Sequence, residues 1–326
     1  MSQKRILFWN PLSPGDVLVS TAVIRDLHKA YPGEYITGYK GSAPEIFENN
    51  PYITPMADGD GMVVELQYPA IHQCNQRPVH FLTAYHEYVS MGLGRPIPVT
   101  LGRPDVHLSD DEKQWTDQIE SIIGTKMPFW ILVCGGKSDF TTKWWNPEYA
   151  RNLVERFKDE ILFVQVGAAD HFHTAIPGAI SLLGKTDIRQ LMRLCYHSSG
   201  VVTPISFMMH MAAAFNKPAV VTAGGREPVP WESYPNHQYL HTVGALPCCK
   251  TSACWKSRVE KLNDGDEQDH SICQMPEGKP GHMRAACQNM ITADKVEGAI
   301  RMYLRGSPDM VASKDQLGSA QPFLTR

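Results

Sequence analysis

Short apolar runs alternate with helical stretches after residue 128, and this alternation constrains the fold more than any other feature of the chain. Phe129-Trp130-Ile131-Leu132-Val133-Cys134 is unbroken and apolar, the pattern of a strand buried on both faces of its sheet. Further strands are predicted over 161–166, 180–183, 200–203 and 219–222, separated by helices over 147–157, 187–195 and 206–215. Strands joined by helices of that length pair in parallel, because each helix returns the chain to the edge from which the next strand starts. The first half carries a smaller version of the same order. Ile6-Leu7-Phe8-Trp9 reads as a buried strand, with others over 35–38 and 62–66 and helices over 12–27, 45–50 and about 109–123. Two parallel sheets in sequence imply two Rossmann-like units facing a cleft, with expected boundaries 1–126, 127–246, a cysteine-rich insert over 247–290, and a terminal helix and tail over 291–326.

Charge and hydropathy exclude several classes. With 31 basic and 34 acidic residues the net charge is -3, so no global field draws the chain to nucleic acid or anionic lipid. No apolar run reaches the roughly 20 residues of a membrane span, and Met-Ser-Gln-Lys-Arg followed by a short strand lacks the apolar segment of a signal peptide. A cytoplasmic location is expected.

The stretch over 12–27 follows the first strand directly. Pro14 suits the first helical turn, and Asp16 stands three residues after Ser13, the spacing of a near capping box. Gly15 lets another molecule approach the backbone. A carboxylate there, at the carboxyl end of a first parallel strand, is either a cap or a catalytic group, and spacing alone does not separate the two. In the second half, Lys143, the turn after 161–166 with Asp170, Ser206 at a helix start, and Gly224-Gly225-Arg226 after a strand should meet at one sheet edge. Free amides at a helix start, exposed glycines and cations together suit a diphosphate. Gly135-Gly136-Lys137-Ser138 resembles the end of a P-loop, but that motif needs glycine where Ile131 stands, so the P-loop reading is rejected. Within the first half, 71–88 carries His72, Asn75, His80 and His86 among aromatic and amide side chains. This is either a polyol-binding lining or a helix whose histidines are solvated.

Five of the eight cysteines fall between Cys248 and Cys287, in a polar stretch too hydrophilic to build its own core. Four thiolates around one structural metal would hold it together, the expected ligands being Cys249, Cys254, Cys273 and Cys287, with Cys248 the alternative to its neighbour. The spacing is not that of a standard zinc ribbon, and free thiols remain the other reading.

Several of these stretches, in this order, carry a resemblance. Gly15-Asp16-Val17-Leu18-Val19-Ser20-Thr21-Ala22, Arg25-Asp26-Leu27, Ala30-Tyr31-Pro32-Gly33, Lys143-Trp144-Trp145, Leu183-Gly184-Lys185-Thr186 and the run from Met209 to Pro218 resemble the ADP-heptose heptosyltransferases, glycosyltransferase family 9, over roughly residues 4–228. From Gly224 onward the chain is similar to the cysteine-bearing branch that includes autotransporter heptosyltransferases. The resemblance implies a GT-B architecture, acceptor on the first half and nucleotide-sugar on the second. It implies Asp16 as catalytic carboxylate, Lys143 facing donor phosphate, and Ser206 and His210 in the donor motif. Ile205 stands where the family usually has aspartate, and Ala169 where a glutamate often holds the donor ribose, with Asp170 next to it. The branch points to iron in the cysteine module, whereas base rates point to zinc.

The reaction expected is inverting transfer of a heptose-like sugar from a nucleotide-diphosphate donor to a hydroxyl of a saccharide or protein, without a catalytic divalent metal. Asp16 would take the hydroxyl proton, its basicity lowered by the helix N-terminus. Lys143, Ser206, Gly224, Gly225 and Arg226 would meet the departing diphosphate, while Gly15, His72, Asn75 and His80 would line the acceptor side. A homo-oligomer is expected. The rival readings are a GT-B scaffold that binds nucleotide or sugar without turnover, and a metal or redox sensor built on the cysteines.

Overall fold

Ile6, Leu7 and Phe8 are buried at the centre of the first sheet. A computed structural model describes residues 3–114 and 117–324 of the chain. In it β1 (Lys4–Asn10) pairs in parallel with β2 (Tyr35–Gly41) on one side and β3 (Met62–Glu65) on the other. Because β1 is central, the chain leaves it at the point where the strand order reverses, the place where such sheets bind ligands. It leaves into α1 (Pro14–Ala30), buried from Val17 to Leu27 around its whole circumference. Burial is complete because the helix packs against helices of both halves.

That burial includes charge, and the charge is paired. Arg25 and Asp26, 2% and 0% exposed, bond each other. Arg25 also donates to the carbonyls of Leu101 and Arg103, and Asp26 accepts from Thr100 and bonds His86 at 2.9 Å. His86 is thus a buried partner on α2 (Phe81–Leu93), not one of a set of solvated histidines. The helix expected over 45–50 is a short 3-10 turn, Pro44–Phe47, after which Glu48 leaves the helical region and Asn49 is left-handed. The helix expected over 109–123 is found as α3 (Asp110–Gln114) and α4 (Gln118–Ile123), with Trp115 and Thr116 outside the described residues.

The second sheet takes in β4 (Phe129–Leu132), β5 (Leu162–Gly167), β6 (Ile180–Leu183), β7 (Gly200–Pro204), β8 (Ala219–Gly224) and β9 (His237–His241). All pair in parallel in the order β6-β5-β4-β7-β8-β9, with α5 (Pro147–Arg156), α6 (Ile188–His197), α7 (Phe207–Ala214) and α8 (Val229–Glu232) between them. Its edge strand β9 has a mixed polar sequence and was not anticipated. The order reverses between β4 and β7, so the segments that follow these two strands, ending at Lys143 and beginning at Ser206, flank the second switch point.

The cysteine-rich insert holds a two-stranded ribbon, β10 (Pro276–Glu277) with β11 (Arg284–Ala285), and α9 (Ala286–Asn289). A polar knot organises it: Arg258, 0% exposed, bonds the carboxylates of Asp264 and Asp269 and the carbonyl of Ser138. A hydrophilic segment can be held this way because each charge meets a partner as it loses water. After α10 (Ala293–Gly306), the tail forms α11 (Lys314–Leu324), which packs Leu317 and Ala320 back against α4 and β6. No described helix is long and apolar enough to cross a membrane.

Candidate active site

The two switch points meet. Gly15, in the first turn of α1, lies against the first turn of α7: a Cβ placed there would stand 3.6 Å from the Cα of Phe207 and 3.5 Å from the ring of His210. Two helix starts therefore bring their positive dipole ends to one region. Lys137 of the second half reaches Ser13 of the first at 3.4 Å across it.

Asp16 sits in this region with its side chain free of helix capping. Ser13 occupies the N-cap position without a side-chain hydrogen bond, so the capping box suggested by spacing does not close. Instead the hydroxyl of Tyr68 donates to the Asp16 carboxylate at 2.7 Å. Burial pushes the Asp16 carboxyl up to about 6, against the opposing pulls of Tyr68 and Lys143. The expectation that the helix start would lower its basicity is overturned: desolvation in the cleft outweighs the helix field. Tyr68 lies in an irregular segment without periodicity, and nothing in the sequence marked it.

Lys143 ends a 3-10 segment after β4, Ser138–Lys143, and its ammonium is 2.7 Å from a carboxylate oxygen of Glu227. Glu227 also bonds Arg226. Burial works to raise Glu227, but Lys143 and Arg226 outweigh it and hold that carboxyl below the ordinary range. Burial and the charge of Glu227 push Glu232 well above it. Glu227 and Glu232 both lie in stretches noted for other residues, and no local pattern signals that they are buried together.

The remaining candidates separate into groups. Ser206 caps α7, accepting from the amide of Met208 and bonding Thr203 at 2.8 Å. His210 is 5% exposed, joined to the Tyr234 hydroxyl at 2.8 Å, and pushed down to about 3 by burial, so it is a neutral imidazole beneath Gly15. His80 caps α2 by accepting from Leu82 and sets its ring edge-on to Tyr234 at 4.8 Å, bringing a first-half residue to the same wall. His72 is exposed in a turn, and Asp170 is exposed in the turn after β5. Asn75 makes two hydrogen bonds with the backbone of Ala253, tying the 71–88 stretch to the cysteine insert. Arg226 turns inward: it is 6% exposed, donates to the Lys256 carbonyl, and lies over the rings of Phe140 and Trp255.

Gly224 and Gly225 face the insert. A Cβ on Gly225 would lie 2.9 Å from the sulfur of Cys249, and one on Gly224 would lie 3.3 Å from that of Cys287. Cys248, Cys249, Cys254, Cys273 and Cys287 all line one small cavity, together with Gly225, Arg226 and Thr142. All are free thiols, and no group of three or more His, Cys, Asp or Glu side chains among the described residues is already drawn together as a metal site. The donor set still fits a thiophilic cation. Burial and the neighbouring cysteines raise Cys287 as long as no cation is present, while the backbone at Gly225 favours its thiolate, as the backbone at Met275 does for Cys273.

A carboxylate after a strand of one parallel sheet and a lysine after a strand of the other thus stand at the two switch points of a two-sheet α/β protein. Residues 83–257, more than half of the chain, match the model of glycosyltransferase family 9 (heptosyltransferase), and the chain belongs to that family. No curated protein matches it in sequence. Among solved structures, it is similar to the iron-containing dodecameric glycosyltransferase TibC of enterotoxigenic E. coli H10407 at 16% identity, over 94% of this chain and 78% of that one, with a TM-score of 0.61. The E. coli ADP-heptose lps heptosyltransferase II, at 16% identity over 93% and 99%, superposes with a TM-score of 0.55. A family 9 glycosyltransferase of Veillonella parvula DSM 2008, at 15% identity over 73% and 85%, gives 0.57. At these identities the likeness establishes the fold, including the two facing parallel sheets.

Proposed function

We propose that this glycosyltransferase uses ADP-heptose or a close relative and inverts the anomeric centre as it transfers the sugar to a hydroxyl. The observation that carries the reading is the Asp16 carboxyl, raised to about 6, fixed by Tyr68 and set across from the Lys143–Glu227 pair. A carboxyl of that basicity is ionised at neutral pH yet takes a proton readily, which suits a general base for an alcohol. With the acceptor hydroxyl beside Asp16 and the diphosphate leaving toward Lys143 and the start of α7, attack and departure lie on opposite faces of the sugar, which gives inversion. Lys143 and the α7 amides carry the charge that develops on the diphosphate, so the departing group needs no divalent ion. TibC and WaaC have been solved with ADP-heptose or an ADP-linked fluoro-heptose, which supports the donor class.

The reading extends to a structural metal held by Cys249, Cys254, Cys273 and Cys287, with Cys248 able to replace its neighbour. Four thiolates leave no open position for substrate, so such an ion would hold the insert together and take no part in transfer. The iron in TibC favours iron over zinc, and its dodecameric state supports a homo-oligomer here. The acceptor would enter beside Tyr68 and His80, with the first-half sheet as its floor. The test measures ADP release from a panel of nucleotide-sugars, with and without saccharide and serine-peptide acceptors, with Asp16→Asn alongside. Turnover should fall at least about 100-fold in the variant, and a variant near wild-type rate would end the assignment of Asp16 as base.

A further inference from the structure

Behind Lys143 lies a pair of carboxyl groups that the transfer reaction as described leaves unused. Glu227 and Glu232 are 3% and 6% exposed, and beside its own burial the charge of Glu227 acts to raise Glu232. Two buried carboxyls in one cluster oppose each other's ionisation, so the pair keeps one proton. Its surroundings decide where. Glu227 meets both cations of the cluster, Lys143 at 2.7 Å and Arg226 directly. Glu232 meets none. Nε2 of His210 stands 3.5 Å from its Oε2, which has no hydrogen-bond partner, and that imidazole is neutral and engaged with Tyr234 through its other nitrogen. The proton therefore belongs to Glu232 and the charge to Glu227.

The other titratable groups that face this pair and Asp16 come from several elements. Tyr68 and Cys74 of the first half, and Tyr234 and Tyr239 beside β9, are all held neutral by burial. The charges left are Lys143 and Arg226 against Glu227 and Asp16, with Lys137 also reaching Ser13. Lys143 alone would draw Asp16 toward a stronger acid and a weaker base; Glu227 acts on Asp16 in the opposite sense.

We propose that Glu227 is a positioning residue for transfer: its single negative charge, kept single by the proton on Glu232, holds Lys143 opposite Asp16 and offsets the lysine's field there. The proposal rests on the reading of Asp16 as base and Lys143 as donor ligand. It accounts for a cation that can face a phosphate without disabling the base beside it, because the lysine's field reaches Asp16 already partly cancelled.

The test is a carbon-13 NMR titration of the full chain labelled at its aspartate carboxyl carbons, with the Asp16 resonance assigned by its loss in Asp16→Asn. Glu227→Gln should lower the midpoint of Asp16 by about one pH unit. Lys143→Met should raise it by a similar amount. Glu232→Gln replaces a protonated acid with a neutral group of the same shape, so it should leave the midpoint in place. A midpoint unmoved or raised in Glu227→Gln, or lowered equally by Glu232→Gln, overturns the proposal. If Glu227→Gln does not fold, Lys143→Met decides, and an immobile midpoint there overturns it too. Turnover of ADP-heptose by the same variants tells the two readings apart. Midpoints that move as expected beside an active Asp16→Asn remove the base assignment and with it the positioning role; immobile midpoints beside an inactive Asp16→Asn remove only the role of Glu227.

Discussion

Replacing Asp16 with asparagine should stabilise the folded chain at pH 8 while it abolishes turnover. The carboxyl is pushed to about 6 in the folded chain, whereas an unfolded aspartate titrates near 3.9. A raised acid is one whose charged form the fold disfavours, so the folded state binds the proton more tightly than the unfolded chain does. The penalty is absent well below about pH 4, where both states are protonated, grows between about 4 and 6, and is fully present above that. Two pH units correspond to a ceiling of about 3 kcal/mol, and solvent reaching the half-buried carboxyl reduces this to about 1–2 kcal/mol. Asparagine keeps an oxygen to accept from Tyr68, so the hydrogen bond now made at 2.7 Å is retained without the charge. Urea midpoints of wild type and Asp16→Asn, read by near-ultraviolet circular dichroism at pH 8 and pH 4, give the comparison. The variant should be clearly more stable at pH 8 and nearly equal at pH 4, where about 0.5 kcal/mol of the penalty at most remains. An equal effect at both values, or a variant less stable at pH 8, would refute desolvation as the source of Asp16's basicity.

Lys143→Ala should weaken ADP binding about 10- to 150-fold, the range of a charge-assisted hydrogen bond of about 1.5–3 kcal/mol, and leave adenosine binding nearly unchanged. Calorimetry with both ligands checks this, and equal losses would assign the lysine a purely structural part. Cys273→Ser should lower the metal bound per purified chain and also reduce ADP affinity, because the cysteine cavity packs on Gly225 and Arg226 beside Glu227. Metal analysis beside ADP titration tests the link, and full ADP affinity in metal-depleted variant protein would uncouple insert and donor side. Gly225→Ala should destabilise the chain by about 1–3 kcal/mol, since its new methyl would lie 2.9 Å from the Cys249 sulfur. An unchanged thermal midpoint would show that the cavity yields more readily than its packing implies.

Much of this protein was legible before any coordinates, for a local reason. A strand buried on both faces must be apolar at every position, and a helix start announces itself within four residues, so Phe129–Leu132, the α1 start and the alternation after residue 128 could be read in order along the chain. The position of Asp16 at the end of the first strand followed from the same logic, as did the gathering of five cysteines in one segment. What Asp16 can do did not follow. Its basicity depends on how much water the opposite half removes, and its hydrogen bond comes from Tyr68, 52 residues away in an irregular segment. Lys143 was visible as a cation, but its pairing with Glu227, and the proton kept behind it, exist only where the loop after β8 folds against the segment after β4. The glycine pair read equally well as a phosphate cradle until packing set it against Cys249 and Cys287, and the polar tail became a helix once α4 and β6 offered it an apolar seat. Hydrophobic period and chain punctuation are carried by neighbours in sequence, whereas desolvation and charge pairing are sums over neighbours in space, and only the folded chain brings those together.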